Sequence, residues 1–201
     1  MKHSKLLLAT TNRGKAQEYK ALLSGVPYEI ITMAEQGLYL EVEETGATFE
    51  ENARLKAETL ASESGLLSLA DDSGLEVDAL DGEPGVHSSR YAGEGASDED
   101  RYILLLEKLS GVPDGKRTAR FRCVIAIAAP GGQVELYSGE CPGVITGEPR
   151  GNNGFGYDPV FFIPELGKTM AELSSAEKNR ISHRSQAAEK AREALLKHPF
   201  H

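Results

Sequence analysis

The chain has 201 residues, with 22 Lys and Arg against 31 Asp and Glu, a formal net charge of −9. A domain of this length buries about 70% of its unfolded surface and folds without a disulfide or metal staple. The acid excess excludes a protein that coats DNA or RNA polymers, which needs a basic face, and one that adheres to an anionic membrane. A phosphate ligand would need the few cations gathered in one place, or a divalent metal on the carboxylates.

In chain order, Met1-Lys2-His3-Ser4-Lys5 leads into Leu6-Leu7-Leu8-Ala9, an apolar run too short for a signal-peptide core. Lys5–Ala9 predicts a buried strand, Thr10–Lys15 a polar turn, and Lys15–Leu23 a helix ending at Gly25. Asn12 to Lys15 then stand at a helix N-terminus, an anion-binding position or simply a solvated turn. Tyr28–Thr32 is a second strand. Thr48-Phe49-Glu50-Glu51 reads as a capping box opening a helix from about Phe49 to Ser64, closed by Gly65.

Leu66–Ala70 is a buried strand, expected to break at Asp71-Asp72-Ser73-Gly74 before another strand, Leu75–Leu80. Ser97 and Asp100 cap a helix through Leu109. Arg120–Ala129 and Val134–Ser138 flank Pro130-Gly131-Gly132, a hairpin signal. Tyr157–Ile163 is a further strand stopped by Pro164, and Ser175–Lys197 is mostly helical. Strands and helices interleave around one antiparallel hairpin, so the fold class is α/β or mixed α+β on a mixed sheet. No repeat, linker or clean boundary appears, and residues 1–201 read as one domain.

The two cysteines, Cys123 and Cys141, sit in no metal or C-x-x-C spacing; reduced thiols are expected, with one disulfide as the alternative. No run approaches the roughly 20 apolar residues that span a bilayer. The expected compartment is the cytosol. The P-loop, G-x-G-x-x-G, G-x-S-x-G, H-E-x-x-H and EF-hand patterns are all missing.

Three constellations carry chemistry. The acidic pairs Glu43-Glu44 and Asp71-Asp72 offer hard oxygen ligands suited to Mg²⁺ or Mn²⁺; a solvated loop and an Asx-turn are the plainer readings. Gly151-Asn152-Asn153-Gly154-Phe155-Gly156-Tyr157-Asp158-Pro159 joins flexible glycines to two aromatics on which a base could stack. It could equally be a turn whose aromatics are core. Lys178, His183 and Arg184 form a donor-rich patch around Ser182, either an anion or keto-oxygen site or an ordinary helical surface.

These segments together resemble one family over nearly the whole chain, Leu6 to about Leu195. Thr10-Thr11-Asn12-Arg13-Gly14-Lys15 is similar to its T-x-N-x-x-K signature, with Thr11 where family members often carry glycine. Glu43-Glu44-Thr45-Gly46 with Thr48-Phe49-Glu50-Glu51-Asn52-Ala53, then Ala70-Asp71-Asp72-Ser73-Gly74-Leu75, Pro84–Tyr91, Phe155-Gly156-Tyr157-Asp158-Pro159 and Ser182-His183-Arg184 follow in the family's order. The family is the inosine triphosphate pyrophosphatases, or XTP/dITP diphosphatases.

The resemblance implies two lobes around a nucleotide-binding cleft, a homodimer, and Mg²⁺-dependent hydrolysis of a purine nucleoside triphosphate (ITP, dITP or XTP) to the monophosphate and pyrophosphate. It implies triphosphate contacts from Thr10, Thr11, Asn12, Arg13, Gly14 and Lys15. Metal ligation falls to Glu43 and Asp72, and Asp72 is also the base for the attacking water. Ser73, Phe155, Gly156, Tyr157, Asp158, Lys178, His183 and Arg184 become substrate contacts. Glu44 or Asp71 could assist the metal, and Mn²⁺ could replace Mg²⁺. A non-catalytic nucleotide-binding regulator and a pyrophosphatase for another modified triphosphate are the alternatives. The retained water-activating carboxylates weigh against the regulator.

Overall fold

The order of strands and helices follows the sequence pattern closely. In the computed structural model, which describes residues 4–197 and Phe200, the chain forms β1 (Ser4–Leu8), α1 (Arg13–Leu22), β2 (Tyr28–Thr32), α2 (Phe49–Ser64), β3 (Leu67–Val77), α3 (Asp98–Lys108), β4 (Thr118–Ala128), β5 (Val134–Ile145), β6 (Phe161–Ile163), β7 (Lys168–Thr169), α4 (Ser175–Ile181) and α5 (His183–Lys197). Met1-Lys2-His3, the start of the stretch too short for a signal-peptide core, lies outside the described residues. The strands make one seven-stranded sheet in the order β2-β1-β3-β4-β5-β6-β7. It is mixed: β1 runs parallel to β2 and β3, while β6 runs antiparallel to β5 and β7.

Helix boundaries have local causes. Asn12 caps α1 by accepting from the Lys15 amide, and Thr48 caps α2 by accepting from the Glu51 amide. The reciprocal arm of the expected capping box is displaced by one residue, because the Glu51 carboxylate accepts from the amide of Ala47. Gly65 ends α2 in the left-handed region at φ 66°. The box of Ser97 and Asp100 is complete at α3, as is that of Ser174 and Glu177 at α4.

Three elements depart from the sequence pattern. β3 does not break at Asp71-Asp72 but runs unbroken from Leu67 to Val77. Tyr157 to Val160 is a turn rather than a strand; the amides of Val160 and Phe161 both donate to the Tyr157 carbonyl. β5 runs on to Ile145, well past the expected end at Ser138. The C-terminal stretch is mostly helical as expected, with Ser182 extended between α4 and α5.

The described residues divide into two compact units. The first comprises the described parts of Met1–Asp72, Cys123–Gly139 and Arg184–His201; the second is Ser73–Arg122 with Glu140–His183. In the first unit Leu6, Leu8, Tyr19, Leu23, Leu69, Ile125, Ile127, Ala188 and Ala191 pack together, and Leu7, Ile31, Met33 and Leu60 form a smaller cluster. In the second, Leu75, Leu105, Leu109, Phe121, Tyr157, Val160, Phe161 and Met170 pack together. Burial of such side chains stabilises by about 1.5–3 kcal/mol each. Cys123 and Cys141 are both free thiols and both buried.

Candidate active site

In the first unit, parallel pairing sets the geometry. Leu8 of β1 stands opposite Leu69 of β3, and the Ala9 amide donates to the Leu69 carbonyl at 2.8 Å. The loop leaving β1 therefore runs beside Ala70, Asp71 and Asp72 of the longer β3, at the carboxyl end of β1, where parallel sheets bind ligands. That loop enters α1, so Lys15 reaches across: its Nζ lies 2.9 Å from Asp71 Oδ2. Thr10 accepts from the Asn12 amide, while Thr11, Asn12 and Arg13 are exposed.

Asp71 is buried and also faces Arg184, whose Nη2 lies 3.9 Å away. Arg184 donates through Nη1 to Glu18 at 2.6 Å and lies over the Tyr19 ring. Burial alone would raise the Asp71 pKa. The charges of Lys15, Arg184 and Lys56 outweigh it and hold the carboxyl far below its ordinary range. The Arg184 guanidinium, 2% exposed, is raised further despite burial, chiefly by Tyr19, Asp71 and Glu18.

Asp72 follows Asp71 on β3, so its side chain takes the opposite face. There α2 presents Asn52 and Lys56, four residues apart and hence on one side of the helix. Asn52 Nδ2 donates to Asp72 Oδ2 at 3.1 Å, and its Oδ1 accepts from the Gly46 amide at 2.8 Å. Lys56 Nζ bridges Glu44 Oε1 at 2.9 Å and Asp72 Oδ1 at 3.2 Å. Burial raises the Asp72 pKa, Glu44 adds to the rise, and Lys56 and Asn52 offset it only in part. Lys56 itself is raised, because Asp72, Asp71 and Glu44 outweigh its desolvation.

The glutamate pair is sorted by a period of two. Leu38, Leu40 and Val42 pack against Leu7, Ile31, Met33 and Leu60, and the residues between them are exposed. Glu44 continues the inward set and Glu43 the exposed one. Of the two, Glu44 is therefore the one joined to Asp72 through Lys56.

Among the described residues, no three His, Cys, Asp or Glu side chains converge as a self-sufficient metal cage. Glu44 and Asp72 nevertheless fit a hard divalent cation. Both offer oxygen, and a cationic group, the Lys56 ammonium, already lies between them. Magnesium is commonly bound by one or two carboxylates, with water and substrate phosphates completing the shell.

In the second unit, Phe155, Gly156, Tyr157 and Asp158 form a tight turn. Gly154 has φ 79° and Gly156 φ 65°, values that glycine adopts freely. Asp158 Oδ2 accepts from the Phe155 amide at 3.0 Å and from Lys178 Nζ at 2.6 Å. Lys178 Nζ lies 4.7 Å from the Phe155 ring centroid, a cation–π distance. Tyr157 is buried and donates to the Ser88 carbonyl at 2.8 Å. The His183 ring stacks on Phe121 with centroids 4.8 Å apart and planes at 16°. Ser73 is half-buried on β3.

Thus Lys15 and Asp71 meet, as do Phe155, Asp158 and Lys178. Asn52, Lys56 and Glu18 also hold these groups, and were not singled out as site residues from the sequence. The available signal for the first two was their four-residue spacing on a capped helix facing Asp72.

The Ham1 family model matches residues 6–194. A dITP/XTP pyrophosphatase of Geobacter sulfurreducens is 53% identical over 96% of this chain and 95% of its own length. One of Bacillus subtilis is 48% identical over 94% and 96%. The solved structure of a HAM1 protein from Coxiella burnetii matches with a TM-score of 0.89 at 44% identity, covering 97% of this chain and all of its own. With this coverage and identity, the chain belongs to the Ham1 family.

Proposed function

We propose that this protein hydrolyses ITP, dITP and XTP to the nucleoside monophosphate and pyrophosphate, clearing deaminated purines from the nucleotide pool. The observation that carries the reading is the split between Asp71 and Asp72. Asp71 is locked as an anion by Lys15 and Arg184. Asp72 is aimed by Asn52 and Lys56 and binds a proton more readily than a free carboxylate. A buried carboxylate with raised proton affinity is suited to accept a proton from water.

In this reading Asp72 takes a proton from the water that attacks the α-phosphorus, and pyrophosphate leaves. Lys15 and the amides opening α1 hold the triphosphate, with Thr10, Thr11, Asn12, Arg13 and Gly14 shaping that turn. A bound divalent cation, magnesium with manganese as substitute, would neutralise phosphate charge; Asp72 with Glu43 or Glu44 would hold it. Phe155 offers a flat face to the base, with Gly156, Tyr157 and Asp158 setting its position. Ser73, Lys178, His183 and Arg184 complete the substrate contacts. A donor facing position 6 of the purine pairs with the keto oxygen of hypoxanthine or xanthine and opposes the amino group of adenine.

No described helix is long and apolar enough to cross a membrane. A cytosolic homodimer, active on free nucleotides rather than on nucleic acid polymers, is part of the same proposal.

The test is pyrophosphate release from ITP, dITP, XTP, GTP, ATP and dTTP, with and without Mg²⁺. Release from the first three well above the others supports the reading. Release from none favours a binding regulator. Hydrolysis in ¹⁸O-water should label the monophosphate; label in pyrophosphate would overturn attack at the α-phosphorus.

A further inference from the structure

We propose that Asp98, the first residue of α3, is a positioning residue that holds the turn Phe155–Asp158 in its base-binding form and so sets affinity for the purine. The proposal rests on the reading of that turn as a base contact.

The geometry begins at the start of α3. Three acidic residues, Asp98, Glu99 and Asp100, occupy its first turn. Asp100 is spent on the cap: its Oδ2 accepts from the Ser97 amide and hydroxyl. Asp98 is directed elsewhere. Its Oδ2 accepts from the Gly156 amide at 2.7 Å, across 58 residues of sequence. The neighbouring Phe155 amide donates to Asp158 Oδ2 at 3.0 Å. Two consecutive amides of the turn are thus each held by a carboxylate.

The Asp98 carboxylate is itself fixed. Its Oδ1 receives Arg101 Nη1 at 2.5 Å, and Arg101 Nη2 donates to the Ala96 carbonyl at 2.7 Å. Arg101 Nε is buried without a hydrogen-bond partner, so this guanidinium is placed for Asp98 and Ala96 rather than satisfied on every edge. The helix N-terminus favours the negative charge. On the other side, Tyr157 is anchored by Ser88 and Asp158 by Lys178. Gly156 lies between these anchors at φ 65°, where glycine has broad backbone freedom. Without Asp98 its amide must find water, and the ring of Phe155, one residue away, loses a fixed direction.

Such a residue acts through the turn, not on the phosphates. Its loss should weaken substrate binding and spare the chemical step. The test compares Asp98→Ala with Asp98→Asn, whose amide oxygen can still accept from Gly156, and with Phe155→Ala. Steady-state kinetics with ITP and amide hydrogen exchange at Gly156 are measured. Asp98→Ala should raise KM about tenfold, leave kcat within about twofold and speed Gly156 exchange about tenfold or more. Asp98→Asn should restore KM and exchange in part, since its single oxygen can take the Gly156 amide only with its NH₂ turned toward Arg101. Should Asp98→Ala fail to fold, Asp98→Ser carries the same expectations, since it keeps a helix-start hydroxyl but is too short to reach Gly156.

Unchanged KM and exchange in Asp98→Ala overturn the proposal, as does a fall in kcat that Asp98→Asn does not rescue. Phe155→Ala separates the two readings. If it leaves KM unchanged, the base-contact reading fails. If it raises KM while Asp98→Ala does not, only the role of Asp98 fails.

Discussion

Asp71 and Asp72 are adjacent on β3, yet the protein binds their protons in opposite senses. Asp71 is depressed despite burial by Lys15, Arg184 and Lys56; Asp72 is raised by burial and Glu44. Alternation along the strand sends one carboxylate to α1 and the start of α5, and the other to α2.

Stability should divide the pair. The folded pKa of Asp71 lies below its ordinary value of 3.8. Its contribution is therefore complete above that value and is lost as pH falls through it toward the depressed one. At pH 7, Asp71→Asn should lower unfolding free energy by about 3 kcal/mol, and the deficit should shrink below about pH 4. Asp72 has the reverse sign: its folded pKa is raised, so its ionised form opposes folding above that value. Asp72→Asn loses that penalty but also the charge facing Lys56 and one of the two accepted hydrogen bonds, so it should lower the urea midpoint at pH 7 by clearly less than Asp71→Asn does. Urea unfolding of both variants at pH 7 and pH 3.5 reads the contrast.

Turnover should divide them the other way. Asp72→Asn should lower kcat by about 10³-fold or more, while calorimetry with ITP still measures binding. Near-normal turnover would remove Asp72 from the role of base.

The acid limb of the kcat/KM profile should lie above the ordinary carboxylate value of 3.8, because the free-enzyme pKa of Asp72 is raised. Lys56 is a cation that lowers it, so Lys56→Met should move the limb to higher pH. A limb that stays in place would assign it to another group. EDTA should abolish pyrophosphate release, and added Mg²⁺ should restore it.

Gly154→Ala should damage the turn proposed to receive the base. At φ 79° a side chain is strained, and a Cβ there would overlap the Asp158 carboxylate. That carboxylate holds both Lys178 and the Phe155 amide. The expected result is a KM for ITP raised about tenfold and stability lowered by about 2 kcal/mol, read by kinetics and thermal unfolding.

Phe121 carries the His183 ring on its face and also packs on Phe161, with centroids 4.4 Å apart. Phe121→Leu keeps apolar bulk and removes the stacking plane. If His183 helps read position 6 of the purine, preference for ITP over ATP should fall about tenfold. An unchanged ratio of kcat/KM values would take His183 out of base selection.

Local chemistry made much of the fold readable. Thr48, Ser97 and Gly65 mark helix ends through side-chain and backbone rules that act within a few residues. β3 departs from the sequence pattern because a strand that buries Asp71-Asp72 is stable only with cations and amides from distant parts of the chain. Lys15, Lys56, Asn52 and Arg184 are not visible as partners until the sheet and helices are assembled. Tyr157–Val160 has strand-like residues, but Gly156 in the left-handed region turns the chain and closes helical-type hydrogen bonds on Tyr157. No linker betrays the two units, because the chain passes between them within β3, β4 and β5 and at the start of α5.

The two thiols are free, the reduced state that their spacing predicts. Burial pushes Cys123 up to about 12 and Cys141 up to about 11, which leaves almost no thiolate at neutral pH.

The alternation from Leu38 to Glu44 has a consequence for how this segment can change length. It works as a parity counter. Three apolar residues fix the phase, and the phase decides which glutamate meets Lys56. Loss or gain of one residue between Val42 and Glu44 would exchange the two acids or remove both from the inward set. Changes by two would preserve the choice. A pair of identical neighbouring side chains, interchangeable in composition, is made unequal by nothing more than odd and even.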